Sequence, residues 1–339
     1  MRILLVDKTF KEEPDIEREL VGPDGSFEFH AGAAQVPDAS WRSADAVQTF
    51  RASAFVNSMA EAGRLENCRV IVRGGVGYDG LDLAALGARG IAVFNVPDYG
   101  TTEVADHVFA LLLGLRRGIT TFHDALHADP VAGFKFQAAP CLERLRGRRF
   151  GIVGLGRIGT AAARRAVGFD MQVAFYDPYL PDGVDLATGT TRMASIEALF
   201  EAADAITIHT PLTEETRGMV DACLLARVKP GAVLINTARG PVVDIDAVYT
   251  ALKDGRLGGA ALDVFPVEPP DPAHPLLKAY TGRDPWLDGR LILTPHAAFY
   301  SADGIRDLRR KCVETAIGYL RHGRLRNCVN RDWLAGAGA

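Results

Sequence analysis

One short run constrains this chain more than any other. Phe150-Gly151-Ile152-Val153-Gly154-Leu155-Gly156-Arg157-Ile158-Gly159 is an apolar strand pattern that flows into Gly-x-Gly-x-x-Gly. Ala161, Ala162, Ala163 and Ala166 then follow at helical spacing. Gly154 allows the tight turn, Gly156 lets the backbone come close to a pyrophosphate, and Gly159 lets the helix pack closely on the strand. The first turn, at Arg157, Ile158 and Gly159, offers the unpaired N–H groups and positive dipole that phosphates favour. Asp177 ends the next strand pattern, where a carboxylate accepts from a ribose hydroxyl and repels a 2′-phosphate. No Arg stands beside Asp177 in the sequence, so the motif favours NAD over NADP. A flavin or methyl-donor nucleotide is the alternative ligand of such a turn.

The rest of the chain repeats this strand-and-helix alternation. Strand patterns at Ile3–Val6, Val70–Val72 and Ile91–Phe94 precede the motif, and Leu81–Ala88 between them reads as a helix ended by Gly90. After it come Val173–Tyr176, Ala205–Ile208, Val233–Ile235, Ala260–Leu262 and Leu291–Leu293, most of them spaced to leave room for crossover helices. Between the two arrays, Val104, Val108, Leu111, Leu112 and Leu115 mark one long helix, capped by Thr101 or Thr102 and ending at Arg116-Arg117. His123 to Arg149 is polar and without clear pattern, and Ser301–Leu320 has a helical pattern. The fold class is α/β, with two Rossmann-like or flavodoxin-like domains of parallel sheet and a cleft between them.

Composition narrows the function classes. Among 339 residues, 38 basic groups face 42 acidic ones, a net charge of −4, without the basic excess of a nucleic-acid binder. The basic run Arg144, Arg146, Arg148, Arg149 therefore reads as a solvated turn rather than a nucleic-acid patch. Five scattered cysteines, at 68, 141, 223, 312 and 328, have no metal-ligand spacing and suit reduced thiols in a cytoplasmic protein. The N-terminus is apolar for too few residues to be a signal peptide, and no stretch approaches a membrane span.

Two further strand ends carry candidate chemistry. Asn236-Thr237-Ala238-Arg239-Gly240 follows a strand, where ligands of open α/β sheets bind. A guanidinium there suits a carboxylate through two parallel hydrogen bonds, although Arg239 taken alone reads equally well as a surface arginine. Leu293-Thr294-Pro295-His296 also ends a strand, and His296 has the neutral-range pKa of a general acid. A lone histidine there is more often structural. Glu268 would orient and charge it if the two meet in space. Gly74-Gly75-Val76-Gly77 is a glycine-rich turn able to form an anion nest, or simply a tight turn.

Taken together, Gly154–Gly159, Asn236–Gly240, Ala261-Leu262-Asp263-Val264-Phe265 through Glu268-Pro269, and Thr294-Pro295-His296 resemble the D-isomer-specific 2-hydroxyacid dehydrogenase family, in order and over residues 45–330. The wider resemblance includes phosphoglycerate dehydrogenases. Tyr176-Asp177-Pro178-Tyr179-Leu180, His296–Ser301 and Arg326–Asp332 resemble its C-terminal-binding-protein-like branch. The resemblance implies a catalytic trio: Arg239 binding the substrate carboxylate and carbonyl oxygen, His296 as acid/base, and Glu268 holding His296. It implies that Arg73, with the amides of Gly75, Val76 and Gly77, binds the substrate carboxylate. His209, Thr210 and Pro211 would line the adenosine half of the NAD site. Thr237, Ala238, Asp263, Val104 and Val76 would lie toward the nicotinamide, with Asp263 accepting from its carboxamide. Phe299 would line the substrate pocket where eukaryotic members of that branch carry Trp, and Ala298 stands near where most other members have Gly.

The implied organisation is a discontinuous substrate domain, 1–99 plus 300–339, and an NAD-binding domain, 100–299. The implied activity is hydride transfer between NADH and a small 2-keto acid, in a homodimer without nucleic-acid or membrane partners. The alternative is an NAD(H)-sensing scaffold of the same fold, similar to corepressors of that branch. An intact trio and the lack of long disordered tails favour the enzyme.

Overall fold

All strand pairings in both sheets are parallel. This follows from the sequence pattern. Strands such as Val233–Asn236 and Ala205–Ile208 are buried along their whole length, so they are apolar in continuous runs rather than in alternation. The computed structural model describes residues 1–136 and 139–334. The chain divides into two compact units, Met1–Gly100 with Tyr300–Ala339, and Thr101–Phe299.

The first unit holds β1 (Arg2–Leu5), β2 (Ser26–Phe29), β3 (Ala46–Thr49), β4 (Val70–Arg73) and β5 (Ala92–Asn95), in the order β2-β1-β3-β4-β5. That is a flavodoxin-like order. Its core gathers Leu4, Trp41, Val47, Val56, Ile71 and Val93. The chain's last segment belongs to this unit for two physical reasons. Arg309, on the helix Ala302–His322, is 3% exposed and donates to both Glu17 carboxylate oxygens at 2.8 Å. Asn330, fully buried, accepts from Val93 N–H at 2.8 Å and donates to the Ile91 carbonyl at 2.9 Å. A buried amide with both ends satisfied is costly to remove.

The second unit holds β6 (Arg149–Val153), β7 (Gln172–Tyr176), β8 (Thr191–Arg192), β9 (Ala205–Ile208), β10 (Val233–Asn236), β11 (Gly259–Leu262) and β12 (Leu291–Leu293), in the order β12-β11-β10-β9-β6-β7-β8. The helix Thr101–Arg116 buries Ala105, Val108, Phe109, Leu112 and Leu115 beside Ala162, Ala163 and Ala166 of the helix Arg157–Gly168. Phe109 sits 5.3 Å from both Phe150 and Phe169. Each large apolar side chain so buried contributes about 1.5–3 kcal/mol.

One local expectation fails. Neither Thr101 nor Thr102 caps the long helix. The helix begins at Thr101, whose buried hydroxyl has no partner, and the Thr102 hydroxyl donates to Glu103. The patternless stretch after His123 is partly helical, because the helix Ile119–Ala128 runs into it. None of its residues is fully buried, yet Ile119, Phe122 and Leu126 recur along it at helical spacing, in a stripe that begins ahead of His123.

Candidate active site

The strand order sets the first half of the site. β6 lies between β9 and β7, and the register puts Val153 opposite both Tyr176 and Ile208. Gly154, Asp177 and His209 therefore leave the sheet at one level of its carboxyl edge. Gly154 has φ +89°, a conformation that glycine adopts without penalty. A Cβ on Gly159 would lie 2.2 Å from the Gly154 carbonyl oxygen, so the helix packs on the turn only because this residue is glycine. A Cβ on Gly156 would meet nothing within 4 Å, and this residue heads the helix Arg157–Gly168 without any side-chain cap. The start of the helix, with Arg157 exposed and Ile158 half-buried beside it, is open to an anion.

This edge fits a dinucleotide. Asp177 accepts from Leu155 N–H at 3.0 Å and Tyr179 N–H at 3.1 Å, which fixes its carboxylate beside the turn. Thr210 and Thr237 each bury a hydroxyl that has no partner among the described residues, an arrangement that costs stability unless a ligand satisfies it. Burial pushes the His209 imidazole down to about 3, so it is neutral at physiological pH. Its Nε2 lies 3.0 Å from the Thr207 hydroxyl. The Pro211 carbonyl accepts from Thr216 Oγ1 at 2.6 Å. Val104 is buried on the helix Thr101–Arg116. An arginine does approach Asp177 in the fold. Arg192 donates to the carbonyls of Asp177, Leu180 and Pro181, at 3.2, 3.2 and 2.7 Å. It comes from β8, fifteen residues along the chain, which sequence adjacency does not show.

The second half forms where β10, β11 and β12 end. Asn236 shapes its turn by accepting from Ala238 N–H at 3.0 Å and donating to the Arg239 carbonyl at 3.1 Å. Arg239 donates to the Ala238 carbonyl at 2.7 Å. A Cβ on Gly240 would fall 1.9 Å from the Phe265 carbonyl carbon. The arginine turn thus lies backbone to backbone against the loop that carries Glu268. His296 Nδ1 and Glu268 Oε2 are 2.7 Å apart, and Glu268 Oε1 accepts from Phe265 N–H at 3.1 Å. Burial raises the Glu268 pKa, but His296, the Phe265 N–H and the charge of Arg239 outweigh it and hold the carboxyl below its ordinary value. The fold thus brings Arg239, Glu268 and His296 together.

His296 has φ +53°, uncommon for a residue with a side chain and stable only where its surroundings impose it. Asp263 imposes it. Its carbonyl accepts from His296 N–H at 2.7 Å. Its carboxylate, fully buried, accepts from Thr294 Oγ1 at 2.6 Å, Ala297 N–H at 2.8 Å and Ala298 N–H at 3.0 Å. That carboxylate holds the loop after β12. Phe299 meets the His296 ring edge to face, with centroids 6.0 Å apart.

In the first unit, Arg73 ends β4 and donates to the Gly74 carbonyl at 2.8 Å. The Gly75 and Val76 carbonyls accept from Val96 N–H at 3.0 Å and Asn95 Nδ2 at 2.7 Å. Gly77 continues this turn.

Several residues escaped the sequence reading. Asn236 and Thr294 were visible only as motif letters. His107 shows no motif at all, yet its Nε2 lies 3.1 Å from Thr294 Oγ1. That hydroxyl gives its proton to Asp263, so His107 must donate to it from Nε2. Among the described residues no His, Cys, Asp and Glu group is arranged to hold a metal, and no helix is long and apolar enough to cross a membrane.

Comparison with known proteins agrees with this geometry. Residues 109–298 match the NAD-binding domain of the D-isomer-specific 2-hydroxyacid dehydrogenases. The chain is 36% identical over 273 residues to a glyoxylate reductase of Korarchaeum cryptofilum, covering 78% of this chain and 76% of that protein. It is 34% identical over 265 residues to a D-3-phosphoglycerate dehydrogenase of Archaeoglobus fulgidus, covering 78% of this chain but 48% of that longer protein. A D-lactate dehydrogenase from Aquifex aeolicus, solved with NAD and lactic acid, superposes with a TM-score of 0.78 at 26% identity, over 96% of this chain and 97% of that one. An NADPH-dependent glyoxylate/hydroxypyruvate reductase from Sinorhizobium meliloti, solved with NADP and malonate, gives 0.78 at 32% identity, over 95% and 94%. This chain belongs to the D-isomer-specific 2-hydroxyacid dehydrogenase family, oxidoreductases that act on CH–OH donors through an NAD-binding domain.

Proposed function

We propose that the protein reduces a small 2-keto acid with NADH, and oxidises the D-2-hydroxy acid in the reverse direction, with His296 as the acid/base. The observation that carries this reading is the 2.7 Å contact of His296 Nδ1 with Glu268, beside the Arg239 charge. With Nδ1 bound to the carboxylate, Nε2 is left to give a proton to a carbonyl oxygen, or to take it back. Glu268, held ionised, fixes the orientation of the imidazole. Arg239 is suited to bind a carboxylate and to polarise the adjacent carbonyl. Bound NADH supplies the hydride.

Residues 100–299 are assigned the cofactor role, and 1–99 with 300–339 the substrate role. In the latter, Arg73 and the amides of Gly75, Val76 and Gly77 would hold the carboxylate. The inward use of the Gly75 and Val76 carbonyls supports this, because it turns N–H groups outward. Phe299 would wall the substrate beside His296. The motifs at Tyr176–Leu180 and Arg326–Asp332 support the C-terminal-binding-protein-like branch. A homodimer is supported by Val131, Phe134 and Phe136, each at least 80% exposed. Free thiols at all five cysteines support a cytoplasmic setting.

The test is loss of NADH absorbance over a panel of 2-keto acids, including glyoxylate, hydroxypyruvate and phenylpyruvate, with His296→Ala beside the wild type. Turnover above roughly 1 s⁻¹ with one acid, falling about 10²- to 10⁴-fold in the variant, is expected. NADH binding without turnover on any acid would transfer the assignment to the NAD-sensing scaffold.

A further inference from the structure

The fold of this family serves both NAD and NADP, as the Sinorhizobium reductase shows, so discrimination must lie in side chains around the ribose. Asp177 is the acid expected there. A second one stands nearby. Tyr179, two residues past Asp177, extends its hydroxyl to the carboxylate of Glu215 and donates to it. Tyr179 itself is anchored, because its N–H is held by the Asp177 carboxylate. Glu215 sits in a knit turn. Thr213 N–H donates to Thr216 Oγ1 at 2.8 Å, and Arg217 N–H donates to the Thr213 carbonyl at 3.0 Å.

The topology gives this contact its meaning. Tyr179 follows β7 and Glu215 follows β9, and these strands flank β6. The contact joins the two loops that rise on either side of the glycine-rich turn. It therefore holds a second carboxylate on the same edge as Asp177. Arg192, which β8 brings to Asp177, gives its Nη1 and Nη2 donors to three backbone carbonyls, so it is poorly placed to meet a phosphate.

We infer that Glu215, positioned by Tyr179, is a second determinant that rejects a 2′-phosphorylated dinucleotide. A 2′-phosphate carries about −1.5 to −2 charges at neutral pH. Bringing it to an edge with two fixed carboxylates and a committed arginine is opposed by both acids, while the 2′-hydroxyl of NAD meets no such opposition. Replacing Asp177 alone therefore leaves part of the discrimination in place. The inference rests on the assignment of the NAD site to this edge.

The test is a fluorescence titration of the purified protein with NADH and with NADPH, for the wild type, Glu215→Gln and Tyr179→Phe. Glu215→Gln keeps shape and hydrogen bonding but removes the charge. It is expected to tighten NADPH about 3- to 10-fold, the size of one like-charge contact near water, and to leave NADH within about twofold. Tyr179→Phe releases the carboxylate without neutralising it, and is expected to tighten NADPH by a smaller factor. Raising the salt should shrink the NADH/NADPH preference of the wild type more than that of Glu215→Gln. An unchanged NADPH-to-NADH ratio in Glu215→Gln overturns the inference alone. A wild type that binds neither dinucleotide overturns it together with the site assignment beneath it.

Discussion

The two units each carry a strand that runs into a glycine-rich turn, and the two turns are built to opposite ends. In the second unit, β6 passes through Gly154 and Gly156 directly into a twelve-residue helix, and the space at Gly156 is open. In the first, β4 passes into Gly74 and Gly75, where the free space is filled from within. A Cβ on Gly75 would lie 1.5 Å from Nη1 of Arg73. The next helix begins only at Leu83, with its end already capped by Asp82. Glycine in a turn makes room, and what occupies that room decides the turn's chemistry. One turn presents an uncapped helix end to an anion. The other folds a guanidinium across itself.

A second pair follows the same logic. Asp7, just past β1, accepts from the N–H groups of Phe50, Arg51 and Ala52 and from the Thr49 hydroxyl. Asp263, just past β11, accepts from Thr294, Ala297 and Ala298. Each is a buried carboxylate that fixes the loop of a neighbouring segment. Only the second fixes a loop that carries a titratable ring.

The sharpest break of the comparison is Gly240→Ala. Its methyl would collide with backbone rather than with a movable side chain, so the arginine turn and the Glu268 loop must part. We expect about 3 kcal/mol of lost stability in urea unfolding, and a fall of roughly 10²-fold in kcat from displaced groups. Unaltered turnover would show that the close approach is incidental.

A smaller effect separates the two glycine turns. Gly156→Ala should weaken NADH binding about tenfold, a loss of about 1.4 kcal/mol, and leave the melting temperature nearly unchanged, because the new methyl meets no protein atom. Gly75→Ala should leave NADH affinity intact and raise KM for the keto acid, since it displaces Arg73. Titration and steady-state kinetics on both variants check this, and a reversed pattern would refute the division of roles.

The smallest effect concerns Asp7. Burial is the largest influence on it and raises its pKa above the ordinary 3.8, against four hydrogen bonds that lower it. The folded state therefore binds more protons than the unfolded one, so the contribution of Asp7 to stability grows as pH falls through the raised pKa toward 3.8 and is lost as pH rises again. Asp7→Asn removes this titration. Melting temperatures of the two proteins from pH 7 to 4 should diverge in favour of the wild type as pH falls. Parallel curves would show that the carboxylate keeps its charge in the fold.

Much of this edge was legible in the sequence. The strand, the three glycines and Asp177 are local features with fixed spacing, and a βαβ unit needs nothing distant to form. Arg239, Glu268 and His296 were legible as residues, each at a strand end, although their meeting was not. Glu268 and His296 are 28 residues apart. They meet because β11 and β12 are neighbours and because Gly240 admits the intervening backbone. Arg192, His107 and Glu215 could not be found by spacing at all. Each reaches its partner from a distant strand, helix or turn, across 15, 187 and 36 residues.

The sequence by itself therefore determined the periodicities: apolar runs that demand buried parallel strands, glycines that demand particular turns, and an acid at the end of β7. Those are set by a residue and its near neighbours, through backbone sterics and the burial of apolar surface. Tertiary structure alone decided which strand ends lie side by side, that the chain from Tyr300 to Leu334 returns to the first unit through Arg309 and Asn330, and that Asp263 holds His296 in a left-handed turn. Such contacts depend on strand order and close packing, which arise only once distant segments share a core.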